Sequence, residues 1–157
     1  MERPSEKNAI HAPVVALDLG ENRVGVAVSD SLSISISRLD ALPRTNWKQL
    51  LRDVDNVVRR FDAQTVVIGL PLRLNGSCGE AALEVRRVAQ KFARSLRIPV
   101  YLQDERLSSM EAEQNLRLQG HGEVQVSALV DSEAAAVILR DFLVDDQERI
   151  VVGRGSV

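Results

Sequence analysis

The sequence predicts an α/β protein built on a mixed five-stranded sheet flanked by helices. Two Val-rich segments near the start are separated by a short polar turn, which is typical of a hairpin. The apolar spacing then changes from a period of two to one of three and four, and later short apolar runs alternate with amphipathic helical segments. A meander that continues into parallel strands through helical crossovers gives a mixed sheet with helices on both faces.

The first three strands are predicted to form an antiparallel meander. Residues 14–19 and 24–29 are separated by GENR, which has the composition of a short hairpin turn. A third strand is expected at residues 33–39, where SISIS alternates apolar and polar residues. Residues 1–12 are polar and aperiodic, and we interpret them as a flexible N-terminus.

Two helical crossovers are predicted to follow the meander. Asn46 is placed to cap a helix whose apolar residues recur every three or four positions, and this helix leads to an apolar strand at residues 65–70. After a loop at residues 71–79, a second helix at residues 80–96 leads to the strand PVYLQDE, which begins at Pro99.

The C-terminal part is predicted to be helical. One helix is expected from about Ser108 to Leu118, and a glycine-containing loop separates it from a last helix at residues 132–143. Residues 13–144 are therefore expected to form a single domain. Residues 145–157 are interpreted as a flexible C-terminal tail.

The composition excludes several functional classes. A chain of 157 residues with 45% hydrophobic residues is long enough to bury its own core. Aromatic residues make up 3%, too few for a platform that stacks single-stranded nucleic acid. One cysteine, Cys78, excludes an intrachain disulfide and a cysteine-based zinc site. Because the formal net charge is -2, nucleic acid would have to be attracted by a local group of basic residues.

The sequence shows no secretory signal and no apolar run long enough to cross a bilayer. The cytoplasm is therefore the expected location, and no membrane partner is expected.

Three carboxylates are predicted to meet at the carboxyl ends of the strands, where sheets of this kind bind ligands. Asp18 stands near the end of the first strand, and Glu105 follows the last one. Strand alternation sends Asp104 and Glu105 to opposite faces, so only one of them faces Asp18. Asp131 opens the last helix on its apolar side, four residues before Ala135. Three acids in one half-buried place would repel one another unless a cation lies between them, and oxygen ligands alone favour Mg²⁺ or Mn²⁺.

Each acid also has a purely structural explanation. Asp18 precedes Gly20 and could form part of a hairpin turn. Asp131 could be a helix N-cap, and Glu105 could pair with Arg106 on the surface. The common placement of the three acids, rather than any one of them, favours a site.

Four segments resemble, in order and spacing, the signature blocks of a known family: ALDLGENRVGVAVSD, VIGLPLRLNGSCGE, LQDERLSSMEAE and VDSEAAAVILRDFL. From about residue 14 to 143 the chain is similar to the YqgF family of RNase H-like nucleases. These are also described as Holliday junction resolvases or pre-16S rRNA processing nucleases. The resemblance implies an RNase H-like fold with Asp18, Glu105 and Asp131 as catalytic and metal-binding residues, the same three acids that position alone indicates. It also implies a two-metal mechanism, in which one ion activates the attacking water and the other stabilises the leaving 3′ oxygen.

The resemblance also implies contacts with nucleic acid. The candidates are glycines that let the backbone approach it closely, and polar or basic residues that could contact phosphate: Gly20, Arg23, Gly25, Asn75, Gly76, Ser77 and Arg106. Members of the family often carry basic residues before the last acid, whereas none lies between Arg117 and Arg140 here. This departure leaves the strength of nucleic-acid binding open.

The leading hypothesis is a metal-dependent endonuclease that processes the 5′ end of precursor 16S rRNA, with Mg²⁺ or Mn²⁺ as cofactor. A resolvase of branched DNA and a weakly catalytic nucleic-acid-binding protein of the same fold are the alternatives. An actin-like phosphotransferase also places Asp-Leu-Gly on its first strand, but it needs two such domains around a cleft, and 157 residues supply one. Formation of a homodimer is left open.

Overall fold

The computed structural model describes residues 9–105, 118–119, 123–144 and 150–153, and for residues 123–131 only the backbone. Within these residues one sheet contains six strands: β1 (Val14–Leu19), β2 (Arg23–Ser29), β3 (Ile36–Pro43), β4 (Thr65–Leu70), β5 (Val100–Asp104) and β6 (Ile150–Val151). The described helices are α1 (Trp47–Arg60), α2 (Glu80–Ser95) and α3 (Glu123–Val144).

The strands lie in the order β3-β2-β1-β4-β5-β6. The pairs β1 with β2 and β2 with β3 are antiparallel, and the pairs β1 with β4 and β4 with β5 are parallel. The predicted mixed sheet of a meander and parallel crossovers is thereby confirmed. Because β1, β4 and β5 run in the same direction, their carboxyl ends lie at one edge of the sheet.

The sheet has one strand more than the sequence indicates. β6 pairs antiparallel with β5, within the residues interpreted as a flexible tail. The Val152 N–H also donates to the Val100 carbonyl (2.9 Å), and Val152 is buried. A two-residue strand has no periodicity of its own, so only its pairing partner defines it.

The third strand begins at Ile36 and not at residue 33. Oδ1 of Asp30 accepts hydrogen bonds from the N–H groups of Ile34 (2.7 Å) and Ser35 (3.3 Å), and Ser33 has a φ of 57°. The aspartate thus closes a turn through residues that alternate as a strand would, because a short polar side chain competes with the sheet for backbone N–H groups.

Helices cover both faces of the sheet. α1 and α2 pack on the face that carries Leu17 and Ile68, and α1 begins at the predicted cap, where Oδ1 of Asn46 accepts from the Gln49 N–H. α3 packs on the other face, against Val14 and Ala16. The predicted helix between Ser108 and Leu118 lies almost entirely outside the described residues.

The last helix begins at Glu123, so the predicted start at residue 132 is wrong. Residues 132–139 of α3 are all buried. A helix that is buried on all sides has no polar face, and the polar–apolar pattern therefore gives little information about where it starts.

Candidate active site

Asp18 lies half-buried near the carboxyl end of β1, between two glycines of the neighbouring strands. In β2 its partner is Gly25. In β4 the parallel register pairs Leu17 with Ile68, so the position beside Asp18 is Gly69. Partners in register project to the same face of a sheet. Because neither glycine has a side chain, other groups can approach the sheet surface beside the Asp18 carboxylate.

Glu105 follows β5 directly, and its backbone N–H donates to the Leu70 carbonyl at the end of β4 (3.1 Å). Its side chain turns back over β4. A Cβ atom built on Gly69 would lie 2.7 Å from Oε2 of Glu105 and 2.5 Å from Cδ1 of Ile138 in α3. Non-bonded heavy atoms pack best at about 3.5–4.0 Å, so the carboxyl group can lie there only because residue 69 is glycine.

The structure brings Asp18 and Glu105 together on the face covered by α3. By strand alternation Asp18 has the same orientation as Val14 and Ala16, which pack beneath that helix. Glu105 reaches the same face from β5, next to Ile138 of α3. The two acids therefore approach Gly69 from opposite sides. Of the neighbouring acids Asp104 and Glu105, it is Glu105 that lies on the same face as Asp18.

Asp131 lies inside α3, about two turns after its start at Glu123. It therefore neither opens the helix nor acts as its N-cap, and both of those expectations are wrong. Its position is four residues before Ala135 and seven before Ile138, which pack on the sheet. Its side chain lies outside what the structure describes. Among the described side chains no group of three His, Cys, Asp or Glu residues could hold a metal ion, so a site of three carboxylates stays a prediction.

Ser132 and Glu133, the two residues after Asp131, bind α3 to β3 through their side chains. The Ser132 hydroxyl donates to the Leu39 carbonyl (2.6 Å). Nη1 of Arg38 pairs with Oε2 of Glu133 (2.8 Å), and the Glu133 side chain is 4% exposed. These contacts fix the segment of helix that carries Asp131 against the edge of the meander.

Arg38→Met is expected to lower the free energy of unfolding by about 1–3 kcal/mol, because the buried carboxylate of Glu133 loses its charged partner. Arg59→Met is the matched control, since Arg59 pairs with Asp55 at the surface (3.1 Å) and is 78% exposed. Its loss should stay below about 0.5 kcal/mol. Urea unfolding measures both; equal losses would mean that the Arg38 pair contributes no more than a surface pair.

The turn between β1 and β2 contains the candidates Gly20 and Arg23. The Gly20 N–H donates to the Arg23 carbonyl (2.9 Å), and a Cβ on Gly20 would lie 2.7 Å from that oxygen. The tight turn therefore requires glycine for a structural reason. Nη1 of Arg44 donates to the Gly20 carbonyl (2.7 Å), and its Nη2 pairs with Glu84 of α2, which holds the turn in place. Gly25 lies beside Asp18 at an irregularity in the pairing of β2 with β3.

The loop after β4 contains the candidates Asn75, Gly76 and Ser77. Oδ1 of Asn75 accepts from the Ser77 N–H (2.9 Å), and the Gly76 N–H donates to the Arg73 carbonyl (2.7 Å). Gly76 has a φ of 85°, which favours glycine. All three residues build a local turn, and the loop leaves the sheet at the edge where Asp18 and Glu105 lie. The remaining candidate, Arg106, lies outside the described residues.

Sequence reasoning missed two residues of this site, Gly69 and Gln103. Glycine inside the buried strand TVVIGL is a signal of close approach by another group, and it could have identified Gly69. Gln103 is the partner of Gly69 in β5 and is 2% exposed. Its only signal was a polar residue within the strand PVYLQDE.

The residues present fit a divalent cation. Carboxylate oxygens are the ligands that Mg²⁺ and Mn²⁺ prefer, and Asp18 and Glu105 offer them on one face beside a glycine. The buried Oε1 of Gln103 has no hydrogen-bond partner among the described residues. Buried polar atoms normally have partners, so an oxygen acceptor that the described residues do not satisfy lies beside Gly69.

The fold of this protein is shared with a known class of proteins. The structure resembles RuvC from T. thermophilus in its complex with a Holliday junction substrate, with a TM-score of 0.55 and 15% sequence identity. The match covers 89% of this chain and 99% of that one. The protein therefore has the RNase H-like fold of the RuvC-type resolvases, as the sequence predicts.

Within this class the chain belongs to the RuvX family, whose model is described as Holliday junction resolvase and matches residues 12–145. This confirms the YqgF resemblance. A relative from Gloeothece citriformis is 37% identical over 135 residues, which are 86% of this chain and 88% of that protein. One from an Anaeromyxobacter species is 39% identical over 129 residues, 82% of this chain and 94% of that protein. Both relatives carry the name "Putative pre-16S rRNA nuclease".

None of the helices in the described part of the chain is both long enough and apolar enough to cross a membrane.

Proposed function

We propose that this protein is a divalent-metal-dependent endonuclease that hydrolyses phosphodiester bonds in structured nucleic acid, with the 5′ end of precursor 16S rRNA as its substrate. The observation that carries the proposal is the position of the Glu105 carboxyl group over Gly69, beside Asp18. Carboxylate oxygens that converge on one face of a sheet are the ligands that Mg²⁺ and Mn²⁺ prefer. The name of the related proteins supports the choice of substrate.

Asp18, Glu105 and Asp131 would hold Mg²⁺ or Mn²⁺. Of two ions bound there, one would activate the attacking water and the other would stabilise the leaving 3′ oxygen. Asp18 and Glu105 approach the site from strands on either side of β4, so the sheet fixes their separation. Asp131 would complete the set from α3, whose position against β3 is fixed by Ser132 and Glu133.

The nucleic acid would be bound by local basic residues, since the formal net charge of -2 provides no overall attraction. Arg23 at the start of β2, Arg44 after β3 and Arg73 after β4 all lie at the edge of the sheet that carries the two acids. Because no basic residue lies between Arg117 and Arg140, these three arginines would supply the contacts to phosphate. Binding through phosphates should weaken steeply as salt is added.

Cleavage of a branched DNA junction is the second candidate function. The description of the family model as Holliday junction resolvase favours it. The two functions would use the same acids and metal, and they differ only in the polymer that reaches the site.

The test is cleavage of end-labelled precursor 16S rRNA and of a four-way DNA junction, each with Mn²⁺, Mg²⁺ or EDTA. RNA that begins at the mature 5′ end serves as the control substrate. We expect cutting of the precursor at its 5′ region with either metal, no cutting in EDTA, and slower cutting of the junction. Preferential cutting of the junction would support the resolvase instead, and no cutting of either substrate would contradict the nuclease proposal.

A further inference from the structure

We infer that Gln103 is a positioning residue of the proposed metal site, and that its side-chain oxygen accepts a hydrogen bond from a water molecule in the hydration shell of the divalent ion. This inference rests on the proposed function, because it requires the ion that Asp18 and Glu105 would hold.

Three positions in neighbouring strands form a row beneath the candidate site: Asp18 in β1, Gly69 in β4 and Gln103 in β5. The row follows from the register, because the position beside Asp18 is Gly69 and Gly69 pairs with Gln103. Glu105 lies two residues after Gln103 and therefore projects to the same face. Gln103 is thus the neighbour of Gly69, over which the Glu105 carboxyl group lies. It is also two residues from Glu105 at the end of β5.

The described contacts of Gln103 do not explain its burial. The residue is 2% exposed, and its Oε1 atom has no hydrogen-bond partner within the described part of the chain. A buried polar atom without a partner destabilises the folded state, and an apolar residue of similar size would not carry that penalty. The previous residue on the same face, Tyr101, instead packs its ring against Phe142 at 5.3 Å between centroids.

Thr65, in contrast, is a buried polar residue whose side chain has a hydrogen-bond partner. It lies at the opposite end of β4 from Gly69, is 1% exposed, and donates its hydroxyl hydrogen to the His11 carbonyl (2.7 Å). Two buried side-chain oxygens lack a partner in the described part of the chain: Oγ of Ser77, in the loop after β4, and Oε1 of Gln103, where β5 enters the site of the two acids. Exceptions to local rules of stability are expected at functional sites.

An amide oxygen suits this role chemically. Mg²⁺ usually keeps several of its waters when a protein binds it, and each of these waters donates hydrogen bonds. Gln103 supplies an acceptor without adding a further negative charge to Asp18 and Glu105. Partners that orient the ligands of a metal typically contribute about 10–100-fold to its affinity.

The test is Mn²⁺ titration calorimetry of the wild type and of Gln103→Met, together with thermal unfolding of both proteins without metal. Methionine keeps the size of the side chain but removes the acceptor. We expect the affinity for Mn²⁺ to fall about 10–100-fold, while the melting temperature of the metal-free protein rises by about 2–4 °C. A residue with only a packing role would change the melting temperature and leave the affinity as it was.

Gln103→Glu keeps an acceptor oxygen and tests the role of that oxygen directly. Its Mn²⁺ affinity should equal or exceed that of the wild type, even where the added charge lowers the melting temperature without metal. Thr65→Val is the control for stability, since it removes a partly buried hydrogen bond away from the site and should leave the affinity unchanged.

The outcomes separate the two proposals. Wild-type protein that binds no Mn²⁺ would contradict both the metal site and the role of Gln103. Equal affinities of the wild type and Gln103→Met would overturn the role of Gln103 alone, and so would loss of binding in Gln103→Glu, because that variant retains the acceptor.

Discussion

Asp18→Asn is expected to reduce metal-dependent cleavage at least about 100-fold and to leave the fold intact. Loss of a residue that only orients a metal ligand typically costs about 10–100-fold, so loss of a ligand should cost more. The amide has nearly the same shape as the carboxylate. The variant should therefore stay folded.

Single-turnover cleavage rates and urea unfolding measure the two expected effects of Asp18→Asn. Asp30→Asn is the matched control, because it makes the same chemical change at the turn between β2 and β3, at the opposite edge of the sheet. It should retain the wild-type rate. A wild-type rate in Asp18→Asn would contradict the assignment of this acid to the metal site. Inactivity of both the wild type and the variant, with binding retained, would favour the nucleic-acid-binding protein over the nuclease.

Gly69→Ala is expected to reduce cleavage about 100-fold with little loss of stability. The added methyl group would lie 2.7 Å from Oε2 of Glu105 and 2.5 Å from Cδ1 of Ile138. Both atoms are the ends of side chains, so Glu105 and Ile138 can turn away without a shift of the backbone. Overpacking costs about 1–3 kcal/mol, and replacing glycine in a strand returns about 0.5–1 kcal/mol, so we expect a net loss near 1 kcal/mol. A catalytic group displaced by about 1 Å can reduce the rate about 100-fold.

Gly79→Ala is the control for this substitution. Its methyl group would meet Nε of Arg73 at 2.8 Å, and that flexible side chain can move. Gly79 has a φ of -91°, which alanine also adopts, so its stability should be within about 0.5 kcal/mol of the wild type. Because Arg73 is a proposed contact to nucleic acid, the rates are compared at saturating protein concentration, where the rate of Gly79→Ala should be unchanged. A Gly69→Ala variant with the wild-type rate would show that the position of Glu105 over Gly69 does not matter for cleavage.

Local patterns in the sequence were sufficient for most of the fold. The hairpin of β1 and β2 follows from two apolar runs around a polar turn, and the start of α1 follows from the Asn46 cap. The start of β3 was misplaced because Asp30 forms a turn through residues that also alternate as a strand. β6 depends on its pairing with β5, which no short stretch of sequence contains.

The part of the candidate site that could be predicted from the sequence is the pair of acids at the ends of parallel strands. Asp18 and Glu105 could be selected because β1 and β5 are parallel to β4 and end at the same edge. The roles of Gly69 and Gln103 depend on the register across β1, β4 and β5, and this register is set by packing between distant segments. The N-cap interpretation of Asp131 failed because residues 132–139, which follow it, are all buried and have no polar–apolar pattern that marks the start of the helix.

The central claim is that Asp18, Glu105 and Asp131 together form one site that binds divalent metal. The most direct measurement is anomalous X-ray diffraction from crystals of the wild-type protein soaked in Mn²⁺. We expect an anomalous peak on the α3 face of the sheet, with carboxylate oxygens of all three residues at bonding distance. A peak without Asp131 among its ligands, or no peak beside Asp18 and Glu105, would contradict the claim.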